Sequence, residues 1–195
     1  MTIDPSVFFL HNALDTCSVW NVLSSNTIFS KAKEAGVTFC CTKYVEYECL
    51  IKKRTKPTIF DINLQKYLRE LLLQGEFSSY ELSLEDLQEQ EVLSSRKRLG
   101  LGELSTLAFV KGKMLAFMSD DQKARKFASE ILSSGFIQTT PHLVSWLAFC
   151  GHISESDKIA IIKDHEKNGG NISKYLEGGY AFGCQCRQMA NPSQS

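Results

Sequence analysis

Short apolar runs alternate with segments of helical periodicity along most of the chain, and this alternation constrains the fold more than any other feature. The runs at residues 6–14, 37–40, 114–118 and 136–139 have the length and residue types of buried strands, and residues 80–84 form a minor one. Between them, apolar residues recur at helical spacing. Strands that alternate with helices are typical of a parallel sheet covered by helices on both faces. The sequence therefore predicts an α/β fold around a mainly parallel sheet.

The helical segments complete this organisation. Residues 17–35 are predicted to form one helix closed by Gly36, and further helices are predicted to begin near Thr42, Ile62, Glu85, Glu103, Asp120, Pro141 and Ser154. A chain of 195 residues suits a single domain, which we place at residues 1–168. Residues 169–195 are rich in glycine, serine and asparagine and are predicted to be a partly disordered tail, in which Cys184 and Cys186 are incidental thiols.

Composition narrows the classes of function. The 22 basic and 22 acidic residues cancel, so any attraction to nucleic acid must come from a local patch. No transmembrane run is visible, and the first residues lack the basic start and cleavage site of a signal peptide. The seven cysteines lie mostly in apolar runs, as is typical of free thiols. These features predict a cytoplasmic protein.

Four acids fall where a parallel sheet would bring them together. Asp15 follows the first strand, Asp120 follows the 114–118 strand, Glu48 lies in the helix after the second strand, and Glu103 opens a helix. Ligands of such sheets bind outside the carboxyl ends of the strands. Magnesium and manganese prefer oxygen ligands, and clustered carboxylates raise each other's pKa unless a cation neutralises them. The pattern predicts a Mg²⁺ or Mn²⁺ site formed by these four acids.

A simpler explanation applies to three of these acids taken singly. Acids are common at helix starts because they accept hydrogen bonds from free backbone N–H groups and complement the helix dipole. Asp15, Glu103 and Asp120 all stand at such positions. Asp121 is either a further metal ligand or only a charge at a helix start.

Four segments, taken in order, resemble the motifs of bacterial PIN-domain nucleases. LHNALDTCSVWNVL is similar to the family's opening strand and acid, and TKYVEYECL is similar to its second motif. LGLGELSTLAFVKGKMLAFMSDDQKARKFA is the closest match, with its glycine, glutamate, apolar strand and Ser-Asp-Asp, and FIQTTPHLVSWLAFCGHIS is similar to the last strand and helix. The resemblance spans about residues 6–153. Its specificity comes from the four short motifs occurring in sequence.

The resemblance implies a fold, an activity and a site. It implies a Rossmann-like three-layer α/β/α fold and a metal-dependent endoribonuclease, with Asp15, Glu48, Glu103 and Asp120 as its catalytic acids. The second acid is ambiguous, because Glu46 and Glu48 lie about 200° apart on a helix and cannot share one face. Glu48 is preferred because an apolar residue follows the family's glutamate in a similar way.

The resemblance also suggests partners. Many bacterial members are toxins neutralised by an antitoxin protein. The resemblance therefore implies RNA as the substrate, and it leaves open whether the chain also binds an antitoxin or forms a homodimer. Two other functions also stay open: a non-catalytic PIN-like module that binds RNA or protein, and a nuclease directed at DNA.

Further polar residues near these acids are candidates for substrate contact. Two basic runs, at residues 52–56 and 96–98, lie beside proposed ligands and would hold phosphates, or else are only solvated residues near helix ends. The RNA-contact candidates are Lys53, Arg54, Arg96, Lys97 and Arg98. Thr16 and Ser119 would bond a ligand or cap a helix. The four histidines lack a zinc-like spacing and are expected to be satisfied or exposed.

Overall fold

A five-stranded parallel sheet forms the centre of the protein. The structure is a computed structural model that describes residues 4–53, 57–96 and 99–190. The strands, in the spatial order β3-β2-β1-β4-β5, are all parallel to their neighbours. Their bounds are β1 (His11–Leu14), β2 (Thr38–Thr42), β3 (Ser78–Tyr80), β4 (Ala116–Met118) and β5 (Ile137–Gln138). The predicted parallel α/β architecture is confirmed.

Helices connect these strands and cover the sheet. Those in the described residues are α1 (Thr16–Leu23), α2 (Asn26–Glu34), α3 (Lys43–Leu50), α4 (Ile59–Leu73), α5 (Leu84–Arg96), α6 (Leu101–Val110), α7 (Gln122–Ala128), α8 (Thr140–Cys150), α9 (Glu155–Lys167) and α10 (Ser173–Ala190). None of the helices in this part of the chain combines the length and apolarity that a membrane span requires.

Successive residues of each central strand enter two different cores. Leu14 and Met118 join the larger core, which includes residues of α1, α2 and α8, while Ala13 and Phe117 join a smaller core that includes α6 and α7. Adjacent side chains of a strand point to opposite faces, so a strand that is apolar at every position must be covered on both faces. The molecule therefore has three layers, with the sheet in the middle.

The strand order reverses between β1 and β4, the position at which open parallel sheets form a ligand-binding crevice. Connections from β1 to β3 run toward one edge of the sheet, and those through β4 and β5 run toward the other. The direction reverses between β1 and β4, where Leu14 is paired with Met118. Ligands of open parallel sheets bind at such a reversal, outside the carboxyl ends of the strands. Asp15 follows Leu14 at this point, and Asp120 follows Met118 by two residues.

The predicted single helix over residues 17–35 is wrong. Two helices occupy this stretch, separated at Ser24 and Ser25. Both serines are buried, and each makes a side-chain hydrogen bond to α9, Ser24 to His165 (2.7 Å) and Ser25 to Asp164 (3.1 Å). Serine favours local hydrogen bonds that compete with helix continuation, which gives the break a physical reason.

The predicted tail is also wrong over most of its length. Residues 173–190 form α10, an 18-residue helix that packs along α8. Gly179 and Gly183 lie where this helix meets the backbone of α8, close to the carbonyl oxygens of Pro141 and Ser145. The glycines that suggested a tail instead allow two helices to approach closely. Residues 191–195 of the predicted tail lie outside the described residues.

Candidate active site

Asp15 is a buried carboxylate at the end of β1. It is 1% exposed and caps α1, where its Oδ1 accepts a hydrogen bond from the backbone N–H of Ser18 at 2.8 Å. Its Oδ2 is buried and has no hydrogen-bond partner of ordinary geometry, although the Ser119 hydroxyl is close enough to lower the pKa of the carboxyl group. The pKa of Asp15 is raised to about 7 overall: burial raises it most, Ser119 and Ser18 lower it, and the charge of Asp120 raises it. A buried carboxylate oxygen without a donor is costly unless a cation or a proton balances it.

Asp120 lies across the crevice and is held in place by four donors. Its Oδ1 accepts from the backbone N–H of Thr140 at 2.9 Å. Its Oδ2 accepts from the Thr140 hydroxyl at 2.6 Å, from Asn21 Nδ2 at 2.8 Å and from the Ser18 hydroxyl at 3.4 Å. These bonds come from α1 and α8, on either side of the carboxylate. They fix the orientation of Asp120 relative to Asp15.

Sequence reasoning missed these donors as site residues. Ser18 and Asn21 are polar residues three apart in an otherwise apolar helix, and both are buried. That spacing puts them on the same face of α1 as the Asp15 cap, so it was a usable signal. The helix predicted to begin near Pro141 starts at Thr140 and is capped by Thr139, which leaves the Thr140 hydroxyl free to donate to Asp120.

Glu48 reaches the site from α3. Its Oε2 accepts from the Thr16 hydroxyl at 2.6 Å, and its Oε1 pairs with Lys52 Nζ at 2.9 Å. Gly102 lies directly above this contact, since a Cβ added there would be 2.5 Å from Glu48 Oε2 and 3.0 Å from Thr16 Oγ1. The first turn of α6 thus packs against Glu48 because residue 102 has no side chain.

Glu46, the other candidate for the second acid, lies apart from this contact. It forms a salt bridge with Lys43 at 2.7 Å and lies beside Ser79 of β3. The structure therefore places Glu48, and not Glu46, next to the residue that follows Asp15.

Glu103 both interacts with the backbone at the start of α6 and lies near other acids of the site. Its carboxylate folds back over Gly100, toward the backbone N–H groups of Gly100 and of Glu103 itself. Burial raises its pKa, those N–H groups lower it, and the charges of Asp121 and Glu48 raise it again. The side chain thus faces the other acids while its oxygens interact with the start of α6.

Asp121 and Ser119 complete the loop after β4. Asp121 caps α7 by accepting from the Ala124 N–H at 2.8 Å, so the structure gives it the role of a helix cap. Ser119 is fully buried, and its hydroxyl accepts from the Asp121 N–H at 3.2 Å. Its backbone N–H donates to the Gln138 carbonyl oxygen at 3.0 Å, which ties the loop to β5.

The charges of the acids converge on the side chain of Cys17. Cys17 has an exposed surface, yet partial desolvation and the charges of four acids together raise the pKa of its thiol to about 12; these acids are Asp15, Asp120, Asp121 and Glu103. Because all these carboxylates act on one thiol, the carboxyl ends of β1 and β4 and the start of α6 lie in one acidic region. The field there repels a thiolate and attracts a cation.

A hard divalent cation fits the chemistry of this region. Within the described residues, no three Asp, Glu, His or Cys side chains are arranged to ligate one ion directly. The site does offer carboxylate and hydroxyl oxygens and the donor-free Asp15 Oδ2. Magnesium usually keeps several waters and takes one or two carboxylates directly. Asp15 and Asp120, at the ends of the neighbouring strands β1 and β4, offer the oxygens for that mode of binding, and Glu48 and Glu103 add negative charge nearby.

The predicted basic contacts are only partly within the structure. Lys53 is exposed after α3, and Arg96 is the last residue of α5. Arg54, Lys97 and Arg98 lie outside the described residues.

The histidines are not arranged as metal ligands. His165 is fully buried, with its Nδ1 bonded to the Ser24 hydroxyl at 2.7 Å and its Nε2 accepting from the Ile172 N–H at 3.2 Å. Both ring nitrogens are therefore used within the fold. All seven cysteines are free thiols, as their positions in apolar runs predicted.

Comparisons with known proteins identify no relative. No protein-family model, curated protein or solved structure gives a significant match to the chain.

Proposed function

We propose that the protein is a PIN-like, metal-dependent endoribonuclease. The observation that carries the proposal is the pair of carboxylates at the reversal of strand order, where Asp15 keeps one buried oxygen without a donor beside Asp120. A fold gains nothing from burying that oxygen, so a bound cation is the best reason for it. The resemblance of the four motifs to PIN-domain nucleases supplies RNA as the substrate.

Each residue has a role that follows from its contacts. Asp15 and Asp120 would hold the ion, and Thr140 and Asn21 keep Asp120 oriented at the end of β4. Thr16 positions Glu48, while Glu103 adds negative charge at the start of α6. When bound, the ion supplies charge stabilisation at the phosphodiester and lowers the pKa of the attacking water. Hydrolysis adds that water across one P–O bond and leaves a phosphate monoester and a hydroxyl group.

A cleavage assay tests the proposal. The full chain is incubated with single-stranded RNA, single-stranded DNA and duplexes of each, in Mg²⁺, in Mn²⁺ and in EDTA. We expect RNA to be cut only with a divalent ion, and Asp120→Asn to lose at least about 100-fold of the rate. Cleavage of DNA alone would replace RNA as the substrate class. No cleavage by the wild type under either ion would contradict the proposal and favour a non-catalytic binding module.

Glu48→Gln and Glu46→Gln form a matched pair within α3. Each acid pairs with a lysine of the same helical region, but only Glu48 contacts Thr16 beside Asp15. We expect Glu48→Gln to lower the cleavage rate by roughly 10-fold or more, and Glu46→Gln to leave it within about twofold. The rates are compared at one Mn²⁺ concentration below saturation, with melting temperatures as a check on folding. Equal losses in both variants would show that the proposed position of the second acid is wrong.

A further inference from the structure

An aromatic groove lies beside the acidic region, on the exposed side of α3. It has a volume of about 530 Å³. Two tyrosines and two leucines line it together with three polar side chains, and these residues are Tyr44, Tyr47, Leu82, Leu87, Lys43, Glu81 and Gln90. Tyr47 is 45% exposed, on the side of α3 opposite to the residues that this helix buries, Val45 and Cys49. None of the four acids is among the residues that line the groove.

The two tyrosine rings leave one face open. Their centroids are 6.2 Å apart and their planes are tilted by 50°, so they form no slot in which a flat group could be sandwiched. Tyr44 is the more buried of the pair and supports Tyr47 from one side. A planar ligand would therefore stack on the exposed ring of Tyr47.

The position of the groove links it to the proposed active site. Tyr44 and Glu48 are four residues apart in α3, so they lie on one face about one helical turn, or roughly 5.4 Å, from each other. Lys52 bonds to Glu48 at 2.9 Å and is close enough to both tyrosines for them to affect its pKa. An exposed lysine, Lys53, follows it. The tyrosine rings, the proposed catalytic acid and the two lysines therefore lie close together, on α3 and directly after it.

Other exposed aromatic residues lack this combination. Tyr80 stacks on Phe109, with centroids 5.6 Å apart and planes tilted by 19°, so one of its faces is already used. Tyr175 is 69% exposed, but it lies on α10, a helix that carries none of the four acids. Tyr47 is the exposed ring that shares a helix with a proposed catalytic acid.

We infer that Tyr47, supported by Tyr44, stacks on an unpaired base of single-stranded RNA adjacent to the bond that is cut, while Lys52 and Lys53 contact its phosphates. This inference rests on the proposed nuclease function. Stacking on an aromatic ring suits single strands, whose bases are free, and tolerates any base because each has a flat π-face. A duplex hides its bases and would use only the lysines.

Binding in EDTA tests the inference without cleavage. The full chain is titrated into labelled single-stranded RNA, an abasic oligomer of the same length, and an RNA duplex, with fluorescence anisotropy as the readout. We expect Tyr47→Leu to weaken binding to the single strand roughly 5- to 100-fold and Tyr47→Phe to bind normally. The abasic oligomer should bind wild type and Tyr47→Leu equally weakly. Tyr175→Leu changes an exposed tyrosine of another helix, α10, and as the matched control it should bind as wild type does.

The outcomes separate this inference from the proposed function. Unchanged binding by Tyr47→Leu, or an equal loss on the abasic oligomer, would overturn stacking while leaving metal-dependent cleavage by the wild type intact. If the protein binds single-stranded RNA through Tyr47 in a base-dependent way but cuts no substrate, the stacking inference is supported and the nuclease proposal is rejected. Circular dichroism and melting temperatures confirm that each variant is folded.

Discussion

Replacing Asp15 by asparagine is expected to abolish cleavage and, at the same time, to stabilise the metal-free protein at pH 8. The wild-type side chain buries a carboxylate oxygen that accepts no hydrogen bond. Asparagine keeps the cap of α1, because its side-chain oxygen accepts from the Ser18 N–H as well as aspartate does. It removes the charge that burial and the neighbouring Asp120 disfavour.

The stabilisation depends on pH in a defined direction. Below the ordinary value of 3.8, Asp15 is protonated in the folded and the unfolded chain alike. As pH rises from there to about 7, the unfolded chain loses the proton while the folded chain retains it, so the free energy of unfolding falls. That loss is at most roughly 4 kcal/mol for a pKa raised to about 7. Asparagine does not titrate, so its advantage should be small near pH 4 and fully developed above pH 7.

Thermal unfolding in EDTA measures this effect. At pH 8 we expect Asp15→Asn to melt roughly 3–8 °C above wild type, and the difference should shrink steadily as the pH is lowered toward 4. Asp157→Asn is the matched control, because it makes the same change in net charge. Hydrogen bonds from Ser154 lower the pKa of Asp157, so its neutralisation should slightly destabilise the protein at pH 8.

Added Mn²⁺ should reverse the order of stability. A ligand that binds only the folded state raises its stability, so the wild type should gain melting temperature with Mn²⁺ and Asp15→Asn should gain little. Cleavage by the variant should fall at least about 100-fold. An asparagine variant that melts below wild type in EDTA, or that responds equally to Mn²⁺, would show that Asp15 is only a helix cap.

The fold was predictable because its strands carry a local signal. Residues such as Ala13-Leu14 and Phe117-Met118 are apolar at consecutive positions, which is required of a strand buried on both faces. The start and end of each helix were less predictable. The break at Ser24 depends on a hydrogen bond to His165, 141 residues further along the chain, and no local pattern encodes that partner.

The acids of the site were predictable for a similar reason, and their environment was not. A residue that follows a parallel strand must lie at the carboxyl edge of the sheet, so the positions of Asp15 and Asp120 follow from the strands alone. The donors that orient Asp120 come from Asn21 and Thr140, which are 99 and 20 residues away. Which neighbours fill a carboxylate's hydrogen-bonding capacity depends on tertiary packing. The resemblance alone favoured Glu48 over Glu46, and the contact of Glu48 with Thr16 adds a reason that only tertiary packing provides.

The C-terminal helix shows how composition can mislead. Glycine lowers helix propensity by roughly 1 kcal/mol, so a segment with Gly178, Gly179 and Gly183 is locally a poor helix. Packing against α8 reverses that preference, since two of these glycines lie at the contact between the helices. The helical structure of residues 173–190 therefore depends on their contact with α8, which no local sequence pattern indicates.

Gly183→Leu is therefore expected to destabilise the protein strongly. Gly183 is buried, and a Cβ at this position would collide with the carbonyl oxygen of Ser145 and lie 3.0 Å from the Cβ of Ala148. The obstacle is backbone of α8, which cannot rotate away as a flexible side chain can. Overpacking of this kind costs roughly 3 kcal/mol or more for a large side chain. In a chain of this size, that corresponds to a melting temperature lower by roughly 6–12 °C.

Gly178→Leu provides the matched control in the same helix. Gly178 is exposed, and a Cβ there would meet no atom within 4 Å. Leucine has a higher helix propensity than glycine, so this variant should be unchanged or more stable by up to roughly 0.8 kcal/mol. Thermal unfolding compares the two, and amide hydrogen exchange over residues 173–190 locates the effect, because loss of contact with α8 should expose the amides of α10. Close packing of α10 on α8 would be contradicted if the two variants melted at the same temperature. It would also be contradicted if the amides of α10 exchanged as fast in the wild type as in Gly183→Leu.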